Sequence, residues 1–347
     1  MSAVLAVSLG CPCGIGPEVS LRAAVLERRH VRAVLVGDPA VVERVRAAAP
    51  GARLVAVADA AGCRALAAGS IGVWSAAARL PAPPRPGRPD AAAGAAQLAW
   101  IDAALDLVGA GACDALVTGP VSKAAIASSG VRGAARFRGH TEHLAARLGV
   151  RSVVMAFAAP GLGRRKGCFA TALVTTHLPL ARVPRAVTRD KVAAATVALA
   201  RLCRRLGVAR PAIAVTGVNP HAGEDGLLGT EETRVVAPGI AAARALLRRA
   251  RLEVELAGPL GAETAYRLAH AGRFHGVVAM YHDQATIACK LAGFGELVNV
   301  TLGLPVVRTS VDHGTGYDLA GTGRASPDGM RAALRMAAEL AAPRRRA

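Results

Sequence analysis

Short, continuous apolar runs recur along this chain, each followed by a polar or glycine-rich corner and then by a helical pattern. They include AVLAVSL near the N-terminus, then VRAVLVG, DALVTG, PAIAVTG and GVVAMYH. A strand with one wet face alternates apolar and polar residues, and these runs do not. Strands buried on both faces read this way, as in a parallel sheet covered by helices. The segments between them carry the helical period, most clearly GAAQLAWIDAALDLVGAG, RDKVAAATVALARLCRRLG and SPDGMRAALRMAAEL. EETRVVAPGIAAARALLRRA reads as another helix, with Pro238 as the point where it kinks. The expectation is an α/β fold, an α/β/α sandwich. At 347 residues the chain suits one large α/β unit or two domains. RLPAPPRPGRPD, residues 79–90, reads as a surface loop or linker.

The formal charge of +19 first suggests nucleic acid, but its make-up argues otherwise. Of the 43 basic residues 39 are arginine, and apart from clusters such as GRRKG and the tail PRRRA they are scattered. Aromatic residues, at 3%, are too few to interleave as a base-stacking platform. No nucleic-acid partner is expected. Seven cysteines, an odd number without a CxxC pair, point to a reducing cytoplasm. Cys11 and Cys13 are too close in sequence for an ordinary disulfide. The first apolar run has no basic segment before it and reads as a strand, not a signal peptide. No stretch reaches about 18 uninterrupted apolar residues, so no membrane partner is expected.

Several corners carry polar groups suited to chemistry. GCPCGIGPE, residues 10–18, has a loop that fits a tight turn or an anion site. It is not a dinucleotide fingerprint, because Val19 stands where the third glycine would be. VTGPVSK places Lys123, one of only four lysines, after a strand. RGHTEHLA puts His140 and Thr141 at a helix start, where backbone N–H groups suit a phosphate or carboxylate; Thr141 as a simple cap is the alternative. His177, His221 and His282 each follow an apolar run, in TTHLPL, NPHAGEDG and YHDQ. Three imidazoles meeting at one sheet edge would make a catalytic divalent site, best suited to zinc, with cobalt or magnesium possible. Glu224 and Asp283 are placed to orient imidazoles. Lys290, Asn299 and Arg308 suit an anionic polar molecule. In the glycine-rich stretch DHGTGYDLAGTGRASP, Asp318 is placed to accept from a ribose hydroxyl.

In order, GIGPE, TGPVSK, GHTEHLA, TTHLPL, NPHAGEDG, GPLGAET, YHDQ and VNVTLGLPVVRTSVDHGTGYDLAG resemble the 4-hydroxythreonine-4-phosphate dehydrogenase family of pyridoxal phosphate biosynthesis, from about residue 4 to 340. The resemblance implies an isocitrate/isopropylmalate dehydrogenase-like fold. It implies a cofactor-side subdomain of residues 1–135 with 300–347, a metal and dimerisation subdomain of residues 136–299, and an active site in the cleft between them. His177, His221 and His282 would bind the metal, and His140, Thr141, Lys290, Asn299 and Arg308 the phosphorylated substrate. NAD or NADP would lie along His313, Gly314 and Asp318, with Asp318 favouring NAD by excluding a 2′-phosphate. Asp283 and Lys290 are candidates for the catalytic base. A homodimer with a shared active site, drawing metal ligands from both subunits, is also implied. The expected reaction oxidises the C3 hydroxyl of 4-phosphooxy-L-threonine and then decarboxylates the product to 3-amino-2-oxopropyl phosphate.

Some positions depart from the family pattern. Gly10-Cys11-Pro12-Cys13-Gly14 stands where Gly-Asp-Pro-Ala-Gly is usual, Ala285 follows YHDQ in place of Gly, Glu263-Thr264 stands in place of Asp-Thr, and Tyr317 enters the glycine-rich loop. Two other readings remain. One is a related dehydrogenase of D-threonate or D-erythronate 4-phosphate. The other is a three-histidine metal hydrolase, which would have no use for the loop at 312–327.

Overall fold

The computed structural model describes residues 2–160, 168–293 and 297–342. The clusters GRRKG and PRRRA, and part of the stretch that supplied Lys290 and Asn299, lie outside them. The chain divides into two compact units, Met1–Arg151 with Leu304–Ala347, and Ser152–Gly303. In chain order the strands are β1 Val4–Ser8, β2 Arg32–Val36, β3 Leu54–Val57, β4 Ile71–Trp74, β5 Ala115–Thr118, β6 Val154–Pro160, β7 Cys168–Leu173, β8 Ala212–Thr216, β9 Glu255–Leu260, β10 Gly276–Ala279, β11 Val298–Leu302 and β12 Arg308–Ser310. The α-helices are α1 Gly16–Glu27, α2 Pro39–Arg44, α3 Ala60–Ala65, α4 Ala91–Gly109, α5 Lys123–Ala127, α6 His140–Arg147, α7 Val183–Ala186, α8 Arg189–Arg205, α9 Ala237–Arg249, α10 Ala262–His270, α11 His282–Gly293 and α12 Asp328–Ala341.

The first unit has the strand order β3-β4-β2-β1-β5-β12, with every pair parallel. Ser8 and Ser310, which end β1 and β12, are both register partners of Thr118, which ends β5. The loops after these three strands therefore start side by side. Helix α1 packs on α12 and α4 on α5, and both groups lie against the sheet. Among the described residues α4 alone is long and apolar enough to cross a membrane. Here its apolar length serves as core: Trp100, Ile101 and Ala104 are fully buried, and α4 packs on β1 and β5.

The second unit has the order β11-β6-β7-β10-β8-β9. Its β7, β10, β8 and β9 are mutually parallel, while β6 is antiparallel to both β7 and β11. The mainly parallel sheets expected from the continuous apolar runs are thus present, with one antiparallel corner. With few aromatics available, this core is built largely of small side chains around Phe157, Phe169 and Phe274. Helical backbone runs unbroken from Glu231 to Arg249, with a π-turn at Glu232–Val236 just before Pro238, which lies in the first turn of α9. Proline has no N–H to donate, and the widened turn before it accommodates that loss.

Inside the first unit, one buried charge ties the two ends of the chain together. Glu27 is fully buried at the end of α1 and accepts from Arg331 Nε at 2.9 Å and Arg335 Nε at 2.7 Å, both on α12. Burial alone would raise its pKa, but the hydrogen bonds from Arg335 and Arg331 outweigh it and hold the carboxyl below its ordinary value. Because Arg335 is more than half exposed, the pair is worth less than a fully buried one. Glu27→Gln is expected to cost about 2 kcal/mol at neutral pH. A depressed folded pKa stabilises fully above the unfolded value, about 4.5, and loses that stabilisation as pH falls through the folded value. Urea unfolding of both proteins from pH 7 to pH 3 should show the difference shrinking only below about pH 4.5.

Candidate active site

In the second unit, pairing between β7 and β10 continues past the strand ends. Val174 N–H donates to Ala279 O at 2.9 Å, and Thr175 N–H to Met280 O at 3.1 Å. The Thr175 hydroxyl donates to the same Met280 carbonyl at 2.7 Å. His177 and His282 leave the sheet just beyond this corner, with ring centroids 5.4 Å apart. Two imidazoles bound to one tetrahedral metal at about 2.0–2.1 Å have their ring centres roughly 5 Å apart, so this pair fits a shared divalent ion. His282 Nδ1 lies 2.6 Å from Asp283 Oδ1. With its proton on Nδ1 donated to that carboxylate, the ring keeps the Nε2 lone pair for a ligand.

The third histidine comes from β8, the neighbour of β10 on its other side. Gln284, in the first turn of α11, joins the two corners. Its Oε1 accepts from Met280 N–H at 2.7 Å and from the Thr216 hydroxyl at 2.8 Å, and its Nε2 donates to Gly217 O at 3.0 Å. From there the chain enters a turn in which His221, Ala222, Gly223, Glu224 and Asp225 all have positive φ. Four of these carry side chains, and left-handed backbone costs such residues about 1–2 kcal/mol each. The buried carboxylate of Glu232 braces the turn's entry. Its Oε1 accepts from Val218 N–H at 2.7 Å and Asn219 N–H at 2.8 Å, and its Oε2 from Asn219 Nδ2 at 3.0 Å. The same Asn219 amide donates to Glu231, whose carboxyl is held below its ordinary pKa chiefly by that bond. His221 is left exposed. Among the described residues, no three His, Cys, Asp or Glu side chains are placed to hold a metal within one chain. The structure pairs His177 with His282, and His221 stands outside that pair.

Lys290 and Asn299 also belong to this unit. Lys290 is eight residues beyond His282 on α11, so the two share a helix face. Asn299 is half-buried on β11, between the buried Val298 and Val300.

In the first unit, His140, Thr141 and Arg308 gather around the end of β5. Arg308 is 3% exposed, and its Nη2 donates to the Thr118 hydroxyl at 2.7 Å. Burial pulls its pKa down to about 10, partly opposed by Glu142. His140 starts α6, where Gly139 occupies the cap position with no side-chain cap. Its Nε2 is buried without a hydrogen-bond partner. Burial first, and then Arg308, His143 and Lys123, hold its pKa well below the ordinary value, so the ring is neutral at pH 7. Lys123 Nζ and Glu142 Oε2 both flank Gly139. His143 is fixed at 2.7 Å from Asp102 and packs on Phe137. The group is therefore a cationic, partly desolvated pocket edge at a helix N-terminus, with one orphaned imidazole nitrogen. Such a set suits a phosphate or carboxylate.

The candidate cofactor residues lie on the loop between β12 and α12. His313 and Asp318 are exposed, and a side-chain atom placed at Gly314 would meet nothing. Sequence reasoning passed over Glu232 and Gln284. Their value comes from three hydrogen bonds each, most of them to groups more than ten residues away, and the only local signal is a polar residue near the start of a helix.

Comparison with known proteins shows the family. The family model described as pyridoxal phosphate biosynthetic protein PdxA matches residues 29–337. A 4-hydroxythreonine-4-phosphate dehydrogenase of Burkholderia vietnamiensis is 44% identical over 98% of this chain and 97% of its own. The crystal structure of the enzyme of the same name from Klebsiella pneumoniae matches with a TM-score of 0.81 at 35% identity, over 98% of this chain and 100% of that one. A terephthalate 1,2-cis-dihydrodiol dehydrogenase of Burkholderia xenovorans matches more distantly, with a TM-score of 0.66 at 31% identity, over 98% of both chains. With similarity of this depth along almost its whole length, the chain belongs to the PdxA family of pyridoxal phosphate biosynthetic proteins.

Proposed function

We propose that the protein is a divalent-metal-dependent NAD(P) dehydrogenase of pyridoxal phosphate biosynthesis. It oxidises the C3 hydroxyl of 4-phosphooxy-L-threonine, and the β-keto acid formed loses CO₂ to give 3-amino-2-oxopropyl phosphate. The observation that carries the reading is the buried guanidinium of Arg308 beside neutral His140 at the start of α6, with the exposed Lys123 nearby and the His140 Nε2 buried without a hydrogen-bond partner. That chemistry suits the phosphate of such a substrate, and the names of the relatives point to the same molecule.

When bound, the metal supplies Lewis acidity at the substrate hydroxyl and the nicotinamide accepts the hydride. The protein supplies the rest. His177, His221 and His282 hold the metal, and Asp283 keeps His282 in its binding tautomer. Arg308, Lys123, His140 and Thr141 grip the phosphate and so fix the reacting end. Lys290 and Asn299 bind the remaining polar groups, and Asp283 or Lys290 takes the hydroxyl proton. His313, Gly314 and Asp318 receive the dinucleotide, and the Asp318 carboxylate favours NAD over a 2′-phosphorylated cofactor.

A homodimer completes the metal site in this reading. Six large apolar side chains flank the three histidines in sequence and stand exposed: Leu178, Leu180, Leu227, Leu228, Ile287 and Leu291. Their exposure beside the three histidines supports reading this region as the association surface. Leu180 at 70%, Leu227 at 81% and Leu291 at 84% are the most exposed of the six.

NADH formation at 340 nm with 4-phosphooxy-L-threonine and a divalent metal tests the reaction, with D-threonate 4-phosphate in parallel. Turnover of the first, abolished by a chelator and by His221→Ala, is expected. Turnover of the second alone would move the protein to sugar-acid phosphates, and silence with both would overturn the dehydrogenase reading. Arg308→Gln removes about two charge-assisted hydrogen bonds of about 1.5 kcal/mol each, so kcat/KM should fall about a hundredfold. Leu180→Asp combined with Leu227→Asp should give a monomer by light scattering that has lost tight metal binding. A fully dimeric, metal-loaded variant would place the interface elsewhere.

A further inference from the structure

Two residues from loops far apart in sequence touch each other. Cys11 lies in the loop after β1 and Tyr317 in the loop after β12, 306 residues apart, yet Cys11 Sγ is 3.5 Å from the Tyr317 hydroxyl. Cys11, Cys13 and Ala93 form a small buried cluster with the tyrosine ring packed on it. We infer that Cys11 and Tyr317 form a clamp that sets the position of the glycine-rich loop and hence the affinity for the dinucleotide. This rests on the reading of that loop as the cofactor site.

The contact belongs to a longer seam between the two loops. Ile15 N–H donates to Thr315 O at 2.9 Å. A side-chain atom at Gly14 would meet Thr315 O at 2.5 Å, and one at Gly316, where φ is +54°, would meet Ile15 at 2.8 Å. Only glycine allows so close an approach at both points. Further along, Arg22 on α1 donates to Gly323 O at 3.3 Å and to Ala325 O. The proline-rich loop closes the other side, with Gly87 N–H donating to Cys13 O at 2.7 Å and Gly87 lying against the Tyr317 backbone. Tyr317 is therefore held on two sides, and the residue after it is Asp318, which is exposed.

The chemistry of the pair suits a clamp. A hydrogen bond from Cys13 outweighs burial and, helped by Tyr317 and by backbone groups of Cys13 and Gly14, brings the Cys11 thiol down to about 7. Cys13 is pushed up by its bond to Cys11, by burial and by Asp90, and Tyr317 by burial and by Cys11. Cys13 and Tyr317 therefore keep their protons at neutral pH, and the phenol O–H can donate to the Cys11 sulfur, which accepts more strongly where it is ionised. Ser122 and Thr315 also lie within reach of the phenol. The clamp is thus an acceptor on the first loop with a donor on the second, and the ring's packing is separate from it.

Calorimetric titration of the full-length protein with NAD tests this, using Tyr317→Phe, Cys11→Ala, their double variant, Cys11→Asp and Asp318→Ala. Tyr317→Phe keeps the ring, and Cys11→Asp keeps an anionic acceptor. Each of Tyr317→Phe and Cys11→Ala should raise Kd about five- to tenfold, with kcat at saturating NAD falling less than twofold. The double variant should bind no more weakly than either single one, and Cys11→Asp should bind within about twofold of the parent. Additive losses, or no loss in Tyr317→Phe and Cys11→Ala while Asp318→Ala weakens NAD, would overturn the clamp and leave the loop as the cofactor site. Absence of NAD binding by the parent, or a neutral Asp318→Ala, would overturn both.

Discussion

Neighbouring parallel strands must run in one direction to pair, so each returns its chain to the same end of the sheet. In this protein that constraint decides where chemistry can be placed. Because Ser8, Thr118 and Ser310 are in register, the loops beginning at Leu9, Gly119 and Val311 all start from one edge. Because β10 pairs with both β7 and β8, the segments carrying His177, His282 and His221 leave a common edge in the second unit. The polar residues of each unit are brought together by backbone hydrogen bonding between strands, and side chains such as Gln284 and Glu232 then refine the placement.

Much of this was legible in the sequence. β1, β2, β5, β8 and β10 are uninterrupted apolar runs, and a two-sided burial pattern leaves few other readings. Two short elements, β4 and α3, were not legible. β4 is four residues long with Gly72 inside it, and α3 is six residues with its cap, Asp59, as the main signal. Neither is long enough for periodicity to speak. The histidines were legible as strand-end residues, but their mutual distance was not. His177 and His282 are neighbours because β7 and β10 are adjacent, and adjacency in a parallel sheet is a property of the crossovers between strands. The left-handed turn at His221 was announced only by Asn219-Pro220 and Gly223, while the residue that braces it, Glu232, sits in a helical pattern that reads as solvated surface.

The anion-binding group shows a different limit. Arg308, Lys123 and His140 are far apart in sequence, and each alone has an ordinary explanation. Together they place cationic groups against a half-buried ring whose neutral form burial and those same cations enforce. The buried guanidinium of Arg308 donates to the Thr118 hydroxyl and is held there out of water. Desolvation of this kind strengthens each hydrogen bond the group makes to a bound anion.

Net charge carries little of this information. The +19 balance is spread over arginines that mostly serve the fold or the surface: Arg331 and Arg335 hold Glu27, Arg22 secures the glycine-rich loop, and Arg64 pairs with Asp114. Among the arginines described, Arg308 differs in being almost wholly buried while it lies beside an imidazole nitrogen without a partner. Burial raises the effective strength of a charge by lowering the local dielectric, and a surface excess is screened within about 8–10 Å by ordinary salt. One desolvated guanidinium at a strand end therefore constrains the ligand more than the dozens of solvated ones around it.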